Sequence, residues 1–195
     1  MPDSDCIACR LDISGVVQGV GFRPFLFSLA ARYRIAGEVS NTASGVQVFA
    51  EGDPRDVARF VEAITAEAPL LARVDAVTTT PVPVRGVTDF RIIASRTGSS
   101  RAALISADVS VCKDCLKELY DPRDRRFRYP FINCTNCGPR FTIIEDVPYD
   151  RPRTAMKLFP MCPACRAEYD DPADRRFHAQ PNACPDCGPQ LGVYE

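Results

Sequence analysis

The first half of the chain alternates between strand-like and helix-like patterns of hydrophobic residues. Residues Cys9–Gly15 place apolar side chains at every second position, which predicts a strand with one buried face. After a glycine-rich turn, apolar residues recur at helical spacing over Phe22–Tyr33, and Pro24 suits the first turn of a helix. Gly37 is then expected at the C′ position, where glycine ends many helices.

A hairpin, a second helix and two further strands follow this helix. Gly37–Thr42 and Gly45–Glu51 predict the hairpin. Asp53 is placed to cap a helix whose apolar stripe is Val57, Phe60, Val61 and Ile64. The further strands are Val74–Thr80 and Phe90–Ala94. This order predicts an α+β, ferredoxin-like βαββαβ domain over residues 1–96, with a four-stranded antiparallel sheet and two helices on one face.

The second half of the chain is a duplicated unit that follows a predicted linker over residues 97–107. Alignment of Cys112–Phe141 with Cys162–Leu191 gives 13 identities in 30 positions, at a period of 50 residues. The identities include all the cysteines, an Asp-Pro pair and the sequence Asp-Arg-Arg-Phe. Because such self-similarity marks a duplication, we expect residues 108–195 to form a small domain of two repeats.

Each repeat contains the spacing C-x2-C-x18-C-x2-C, which is typical of a tetrahedral four-cysteine zinc site. Cysteines fill all four coordination positions of each site, so we expect zinc to have a structural role. The simplest pairing takes each site from one repeat. Crossed pairing is the alternative, and disulfides, an iron–sulfur cluster or a redox role are less favoured. Gly138 and Gly188 follow the last cysteines, where the turn is expected to need a positive φ. The predicted ligands of the two zinc ions are Cys112, Cys115, Cys134, Cys137, Cys162, Cys165, Cys184 and Cys187.

Composition and charge argue against several classes of function. The chain has 24 Lys and Arg against 25 Asp and Glu, for a formal net charge of −1. This balance gives no electrostatic reason to expect a nucleic acid or an anionic membrane as partner. No segment resembles a signal peptide or the roughly 20 apolar residues of a transmembrane helix. We therefore expect a cytoplasmic protein, where dense cysteines favour metal ligation over disulfides.

The remaining reactive side chains receive structural interpretations. His178, the single histidine, aligns with Arg128 of the first repeat, so a symmetric zinc site does not need it and we expect it at the surface or beside the ligands. Cys6 and Cys9 have no second pair nearby and are interpreted as ordinary thiols. Arginine pairs in the repeats alternate with aspartates, and solvated or inter-domain ion pairs are expected for Arg125, Arg126, Arg175 and Arg176.

The glycine-rich loop between the first strand and the first helix is the candidate binding site of the first domain. Backbone N–H groups of such a loop, at the start of a helix, converge on a phosphate-sized anion. Arg23 adds a planar fork that can hold two phosphate oxygens. The alternative is a plain turn with a surface arginine. The predicted phosphate-binding residues are Gly15, Val16, Val17, Gln18, Gly19, Val20, Gly21, Phe22 and Arg23.

The first domain resembles the acylphosphatase family. The resemblance rests on Val-Val-Gln-Gly-Val-Gly-Phe-Arg at 16–23, Gly-Glu-Val-Ser-Asn-Thr at 37–42 and Gly-Val-Gln-Val-Phe-Ala-Glu-Gly at 45–52. It implies that the loop and Arg23 bind a phosphate and that Asn41 orients the attacking water. Ser40 stands where many members carry arginine, which bears on specificity. Acyl phosphates have a good leaving group, so the scarcity of histidine does not exclude this chemistry.

The whole chain resembles the N-terminal part of the hydrogenase maturation carbamoyltransferases of HypF type. The segments that carry this likeness are 129–144, Pro148–Arg151 and Asp174–Asn182. The resemblance implies hydrolysis of carbamoyl phosphate, adenylation of the carbamate with ATP, and carbamoyl transfer to a partner maturation protein. It also implies that the ATP-dependent and transfer domains lie outside this chain, so we expect a fragment without full transferase activity. The rival interpretation is a non-catalytic module that binds acyl phosphates and docks through its zinc repeats.

Overall fold

A six-stranded sheet and two helices form the first half of the chain in a computed structural model that describes residues 6–95 and 104–193. The strands are β1 (Ile7–Gln18), β2 (Ala36–Thr42), β3 (Gly45–Gly52), β4 (Arg73–Val82), β5 (Phe90–Ile92) and β6 (Leu104–Ile105). The helices are α1 (Phe22–Tyr33) and α2 (Pro54–Ala66). The strand order is β4-β1-β3-β2-β5, and β6 also pairs with β1.

The four long strands pair antiparallel, in the order β4-β1-β3-β2, and confirm the predicted ferredoxin-like core. Two short strands extend the predicted sheet in parallel: β5 pairs with β2, and β6 pairs with β1. Strand β6 falls in the predicted linker, of which residues 97–103 lie outside the described residues. Strand β5 confirms the strand predicted at Phe90–Ala94 but ends at Ile92, whereas the two residues of β6 leave no alternating pattern long enough to detect.

Both helices pack on one buried cluster of side chains from the sheet. Leu11 and Val48 of the sheet, Leu26 of α1, and Phe60 and Ile64 of α2 are all fully buried in it. The side chain of Asp53 accepts a hydrogen bond from the N–H of Arg55 at 2.8 Å, which confirms the predicted cap of α2.

The predicted end of α1 is wrong. The helix ends at Tyr33, and Arg34 takes the left-handed conformation with a φ of 55°. Gly37 lies inside β2 with a φ of 147°, where a Cβ atom would approach the carbonyl oxygen of Phe49 to 1.9 Å. Glycine is required there by the neighbouring strand rather than by the helix terminus.

The second half of the chain has little regular structure around two short helices. These helices are α3 (Lys113–Tyr120) and α4 (Pro163–Asp170), one in each repeat. Four single 3-10 turns lie between and beside them, at Thr135–Cys137, Phe141–Ile143, Arg151–Arg153 and Ala155–Leu158. None of the helices in the described ranges combines the length and apolar character that crossing a bilayer requires.

Candidate active site and metal centres

Arg23 lies in the first turn of α1, directly after the glycine-rich loop. Gly19 and Gly21 both have a φ of 74°, which turns the chain from β1 into the helix. The helix has no side-chain cap and no acidic residue in its first turn. Its first backbone amides therefore form no hydrogen bond with a local side chain, and Arg23 in the same turn is only 8% exposed. Free backbone amides at the start of a helix, next to a buried arginine, are suited to binding an anion.

A segment of the second half of the chain covers this loop. The side chain of Arg23 forms an ion pair with Asp150, with Nη1 and Oδ1 2.9 Å apart. The backbone carbonyl of Tyr149 accepts hydrogen bonds from Asn41 Nδ2 at 3.2 Å and from Arg23 Nη2 at 3.5 Å. The N–H of Tyr149 donates to Gln18 Oε1 at 2.8 Å. The two buried side chains predicted to do chemistry therefore converge on one carbonyl group.

Residues from both halves line a small cavity that is partly open to solvent and has about 20 Å³ of free space, enough for one or two water molecules. Its wall from the first half includes Val17, Gly19, Gly21, Phe22, Arg23 and Asn41. Its wall from the second half includes Asn133, Thr135, Tyr149, His178 and Gln180. The second wall approaches the loop so closely that a Cβ on Gly19 would lie 2.7 Å from Pro139 and 3.0 Å from the ring of Tyr149.

Four of the predicted phosphate-binding residues do not line this cavity. Gly15 and Val16 lie inside β1, opposite Val74 and Arg73 of β4. Val20 is buried in the core, 2% exposed. The Gln18 amide donates to the carbonyls of Thr42 and Gly45, both at 2.8 Å, and holds Tyr149 through its oxygen. The reason is that β1 continues to Gln18, so the turn is shorter than the glycine pattern suggested.

Sequence reasoning missed the residues that the second half contributes, above all Asn133, Tyr149 and Asp150. Tyr149 and Asp150 lie between the two repeats, in a stretch that the duplication does not explain. Asn133 aligns with Ala183, which breaks the symmetry of the repeats. Both features are visible in the sequence, but neither indicates which distant loop these residues contact.

His178 lies beside the cavity, partly buried, and is not among the ligands of either cysteine cluster. Its backbone φ is 53°, and its ring packs against those of Tyr169 and Phe177, with centroids 4.9 and 4.6 Å away. Burial, together with the positive charge of Arg23, lowers the pKa of His178 to about 4. The imidazole is therefore neutral at pH 7.

A proton NMR titration of the single imidazole tests this environment. We expect the folded chain to show a pKa near 4 for His178, against about 6.5 in an unfolded chain. Between these values the unfolded state binds a proton that the folded state does not, so the free energy of unfolding falls as the pH drops from about 6.5 to about 4. A folded-state pKa of 6 or above would contradict the burial of His178 against Arg23.

The eight predicted cysteines form two clusters, each taken from one repeat. In each cluster the four Sγ atoms lie within 4.8 Å of one another. The Sγ of Cys134 is 3.6 Å from that of Cys112 and 3.9 Å from that of Cys137, and the Sγ atoms of Cys162 and Cys184 are 3.8 Å apart. Tetrahedral zinc with Zn–S bonds of about 2.3 Å places sulfur atoms about 3.8 Å apart. The clusters thus fit zinc with sequential pairing, and the crossed alternative is wrong.

The two glycines after these clusters serve different purposes. Gly138 has the expected positive φ of 69°. Gly188 is not among the described glycines with positive φ. A Cβ on Gly188 would instead lie 2.0 Å from the hydroxyl of Tyr129, so it is the approach of the first repeat that requires glycine there.

The arginine pairs join the repeats to each other rather than facing solvent. Arg126 is 1% exposed and donates to Glu168 of the second repeat, with Nη1 and Oε1 2.9 Å apart. Arg176 pairs with Glu118 of the first repeat in the same way. Arg175 donates to the Sγ of Cys115 at 2.9 Å, and Arg125 to that of Cys165 at 3.3 Å. Each repeat thus neutralises a carboxylate and a ligand sulfur of the other.

Comparison with known proteins agrees with this geometry. A family model described as Acylphosphatase matches residues 9–92, and one described as HypF finger matches residues 111–144 and 161–194. The acylphosphatase of Leuconostoc mesenteroides is 38% identical over 86 residues, which cover 44% of this chain and 96% of its own length. The fold and site therefore define an acylphosphatase domain followed by two four-cysteine fingers.

Longer matches are to larger proteins named carbamoyltransferase HypF. The carbamoyltransferase HypF of Rhizobium leguminosarum bv. viciae is 50% identical over 147 residues, 75% of this chain and 19% of that protein. A crystal structure of full-length HypF in the phosphate- and nucleotide-bound form matches with a TM-score of 0.91 and 49% identity, over 98% of this chain and 26% of that one. The chain belongs to the acylphosphatase family and corresponds to the N-terminal region of HypF carbamoyltransferases. It spans about a fifth of the length of these curated relatives.

Proposed function

We propose that this chain hydrolyses carbamoyl phosphate at the glycine-rich loop where its two halves meet, with the phosphoryl group of the substrate taking the place of the Asp150 carboxylate on Arg23. The observation that carries the proposal is the convergence of Arg23 and Asn41, both buried, on one cavity at the start of α1. Arg23 and the amides of Gly19, Gly21 and Phe22 bind the phosphoryl group. Asn41, whose Oδ1 is buried without a hydrogen-bond partner, orients the attacking water.

The reaction needs little beyond positioning and charge stabilisation. The water oxygen attacks phosphorus, the bond to the bridging oxygen breaks, and carbamate leaves with the electron pair. The water proton passes to a phosphoryl oxygen of the substrate. Arg23 and the loop amides stabilise the charge on the equatorial oxygens. Because carbamate leaves as a weakly basic, carboxylate-type anion, no general acid is required, which is consistent with a neutral His178.

Zinc is the metal that best fits the two cysteine clusters. Its ligands are Cys112, Cys115, Cys134 and Cys137 in one site and Cys162, Cys165, Cys184 and Cys187 in the other. Bound there, zinc supplies structural cross-linking, since each site is filled by four thiolates and has no open position for a reacting group. The fingers then hold Tyr149 and Asp150 against the acylphosphatase domain.

The relatives are named carbamoyltransferases, which supports a further use of the product in carbamoyl transfer. In this proposal, carbamate formed here is adenylated with ATP and transferred to a partner maturation protein of [NiFe]-hydrogenase. These steps belong to the parts of the longer relatives that the match does not cover. Thiolate clusters of this kind require a reducing environment, which supports a cytoplasmic location.

Replacement of Asn41 with alanine tests the assignment of the water-orienting group. We expect kcat for phosphate release from carbamoyl phosphate to fall by about 10²–10³-fold with little change in KM, because the amide acts on the water rather than on the bound phosphate. Its neighbour Ser40 is equally buried but does not line the cavity, so Ser40→Ala is the matched control and is expected to keep normal turnover. An Asn41→Ala variant with unchanged kcat would refute the assignment.

A further inference from the structure

One side chain in the wall of the cavity carries a buried hydrogen-bond acceptor that the proposed hydrolysis does not use. Three side chains that line the cavity have a buried polar atom without a partner: Asn41, Asn133 and Tyr149. The Tyr149 hydroxyl can act as donor or acceptor, whereas the two amide oxygens only accept. Asn41 is assigned to the water. The Oδ1 atom of Asn133, which is 3% exposed, therefore lacks a donor.

The surrounding structure fixes the orientation of Asn133. Its Nδ2 donates to the carbonyl of Gly138 at 3.4 Å, and rotation of the amide would set two oxygens against each other. Its own backbone carbonyl accepts from Arg176 Nε at 3.0 Å. The side chain is thus held with its nitrogen toward the finger turn, and its buried oxygen has no donor.

The duplication shows that the finger itself does not need this amide. Ala183 occupies the equivalent position in the second repeat, directly before the corresponding cysteine, and is equally buried. Both repeats assemble four cysteines in the same pattern. A buried acceptor without a donor lowers the stability of the folded protein. The stability of the finger therefore does not explain why asparagine stands at position 133.

We propose that Asn133 Oδ1 accepts a hydrogen bond from the amino group of the carbamoyl moiety and so selects carbamoyl phosphate over alkyl acyl phosphates. This inference rests on the proposed function. Carbamoyl phosphate and acetyl phosphate differ at one group, NH₂ against CH₃, of similar size. An acceptor-only atom pairs with the amino group and is left unpaired by the methyl group, which is the strongest form of discrimination between near-isosteres. In this proposal the finger region determines the specificity for the acyl group, and the acylphosphatase domain binds the phosphate.

The test compares kcat/KM for carbamoyl phosphate and acetyl phosphate in the zinc-loaded 195-residue chain, corrected for spontaneous decay. We expect the wild type to prefer carbamoyl phosphate and Asn133→Ala to lower that preference at least tenfold. Thr135→Val alters another cavity side chain of the same finger without removing the Asn133 acceptor, and it is expected to keep the preference. An unchanged preference in Asn133→Ala would overturn the proposal.

A second measurement needs no variant and covers the case in which Asn133→Ala does not fold. Phosphonoacetamide and acetonylphosphonate carry the same NH₂ and CH₃ difference on a non-hydrolysable phosphonate. We expect the wild type to bind phosphonoacetamide at least tenfold more tightly, followed by the NMR signal of His178. Equal affinities would refute the role of Asn133. The proposed hydrolysis fails separately, if Arg23→Ala retains full turnover of both substrates.

Discussion

We expect Arg23→Ala to lower phosphate release from carbamoyl phosphate by about 10³-fold or more. The arginine supplies both a positive charge and two parallel donors at the position of the phosphoryl oxygens, and charge stabilisation is the main catalytic contribution in phosphoryl transfer. Because Arg23 is buried, bulk water does not replace these donors efficiently. The measurement is initial-rate phosphate release at saturating substrate for wild type and variant.

A second variant separates charge from geometry at the same position. Arg23→Lys keeps the positive charge but not the fork, so we expect partial turnover, between those of the wild type and the alanine variant. Removal of Arg23 also leaves Asp150 without its ion-pair partner, so each variant is first checked for two bound metal ions and a native His178 signal. Wild-type turnover in folded Arg23→Ala would show that the loop is not the site of hydrolysis.

Chelation of zinc is expected to unfold the finger region and leave the acylphosphatase sheet folded. The second half has little regular structure, and its buried cluster includes the ligands Cys115, Cys134 and Cys137 themselves. Structural zinc sites contribute on the order of 10 kcal/mol to folding, more than so small a core can replace. The first half has its own continuous core of strands and helices. Amide hydrogen exchange after chelation should therefore lose protection over residues 111–193 and keep it over residues 7–92.

Turnover is expected to fall when the fingers unfold, because Tyr149 and Asn133 belong to the second wall of the cavity and Asp150 pairs with Arg23. Cys165→Ser tests the same point without a chelator and should lower the zinc content from two ions per chain. Cys6→Ser is the matched control, since Cys6 is exposed and outside both clusters, and it should keep both ions. A chelated chain with full protection in both regions would show that the clusters do not hold the fingers together.

Much of the fold was predictable because local patterns determine it. The period-two alternation of β1 and the apolar stripe of α2 follow from which face each element buries, so strand and helix types were correct. The repeated cysteine spacing likewise identified both clusters. Local sequence patterns do not show which distant residues each side chain contacts in the folded protein. Gly37 was assigned to a helix terminus because its actual constraint, the carbonyl of Phe49, belongs to another strand.

The same limit applies to the candidate site. Arg23 and Asn41 were identified from the loop and the family resemblance, and both line the cavity. The residues that complete the cavity come from more than a hundred positions away, as the contact between Arg23 and Tyr149 shows. His178 was expected at the surface or beside a zinc site, whereas the packing of the fingers on the loop buries it beside Arg23. Only the assembled structure shows that the two halves share one site.

The most direct measurement is phosphate release from carbamoyl phosphate by the zinc-loaded chain, with Arg23→Ala in parallel. We expect turnover above spontaneous decay that disappears in the variant. A folded chain with two bound zinc ions and no turnover above spontaneous decay would contradict it.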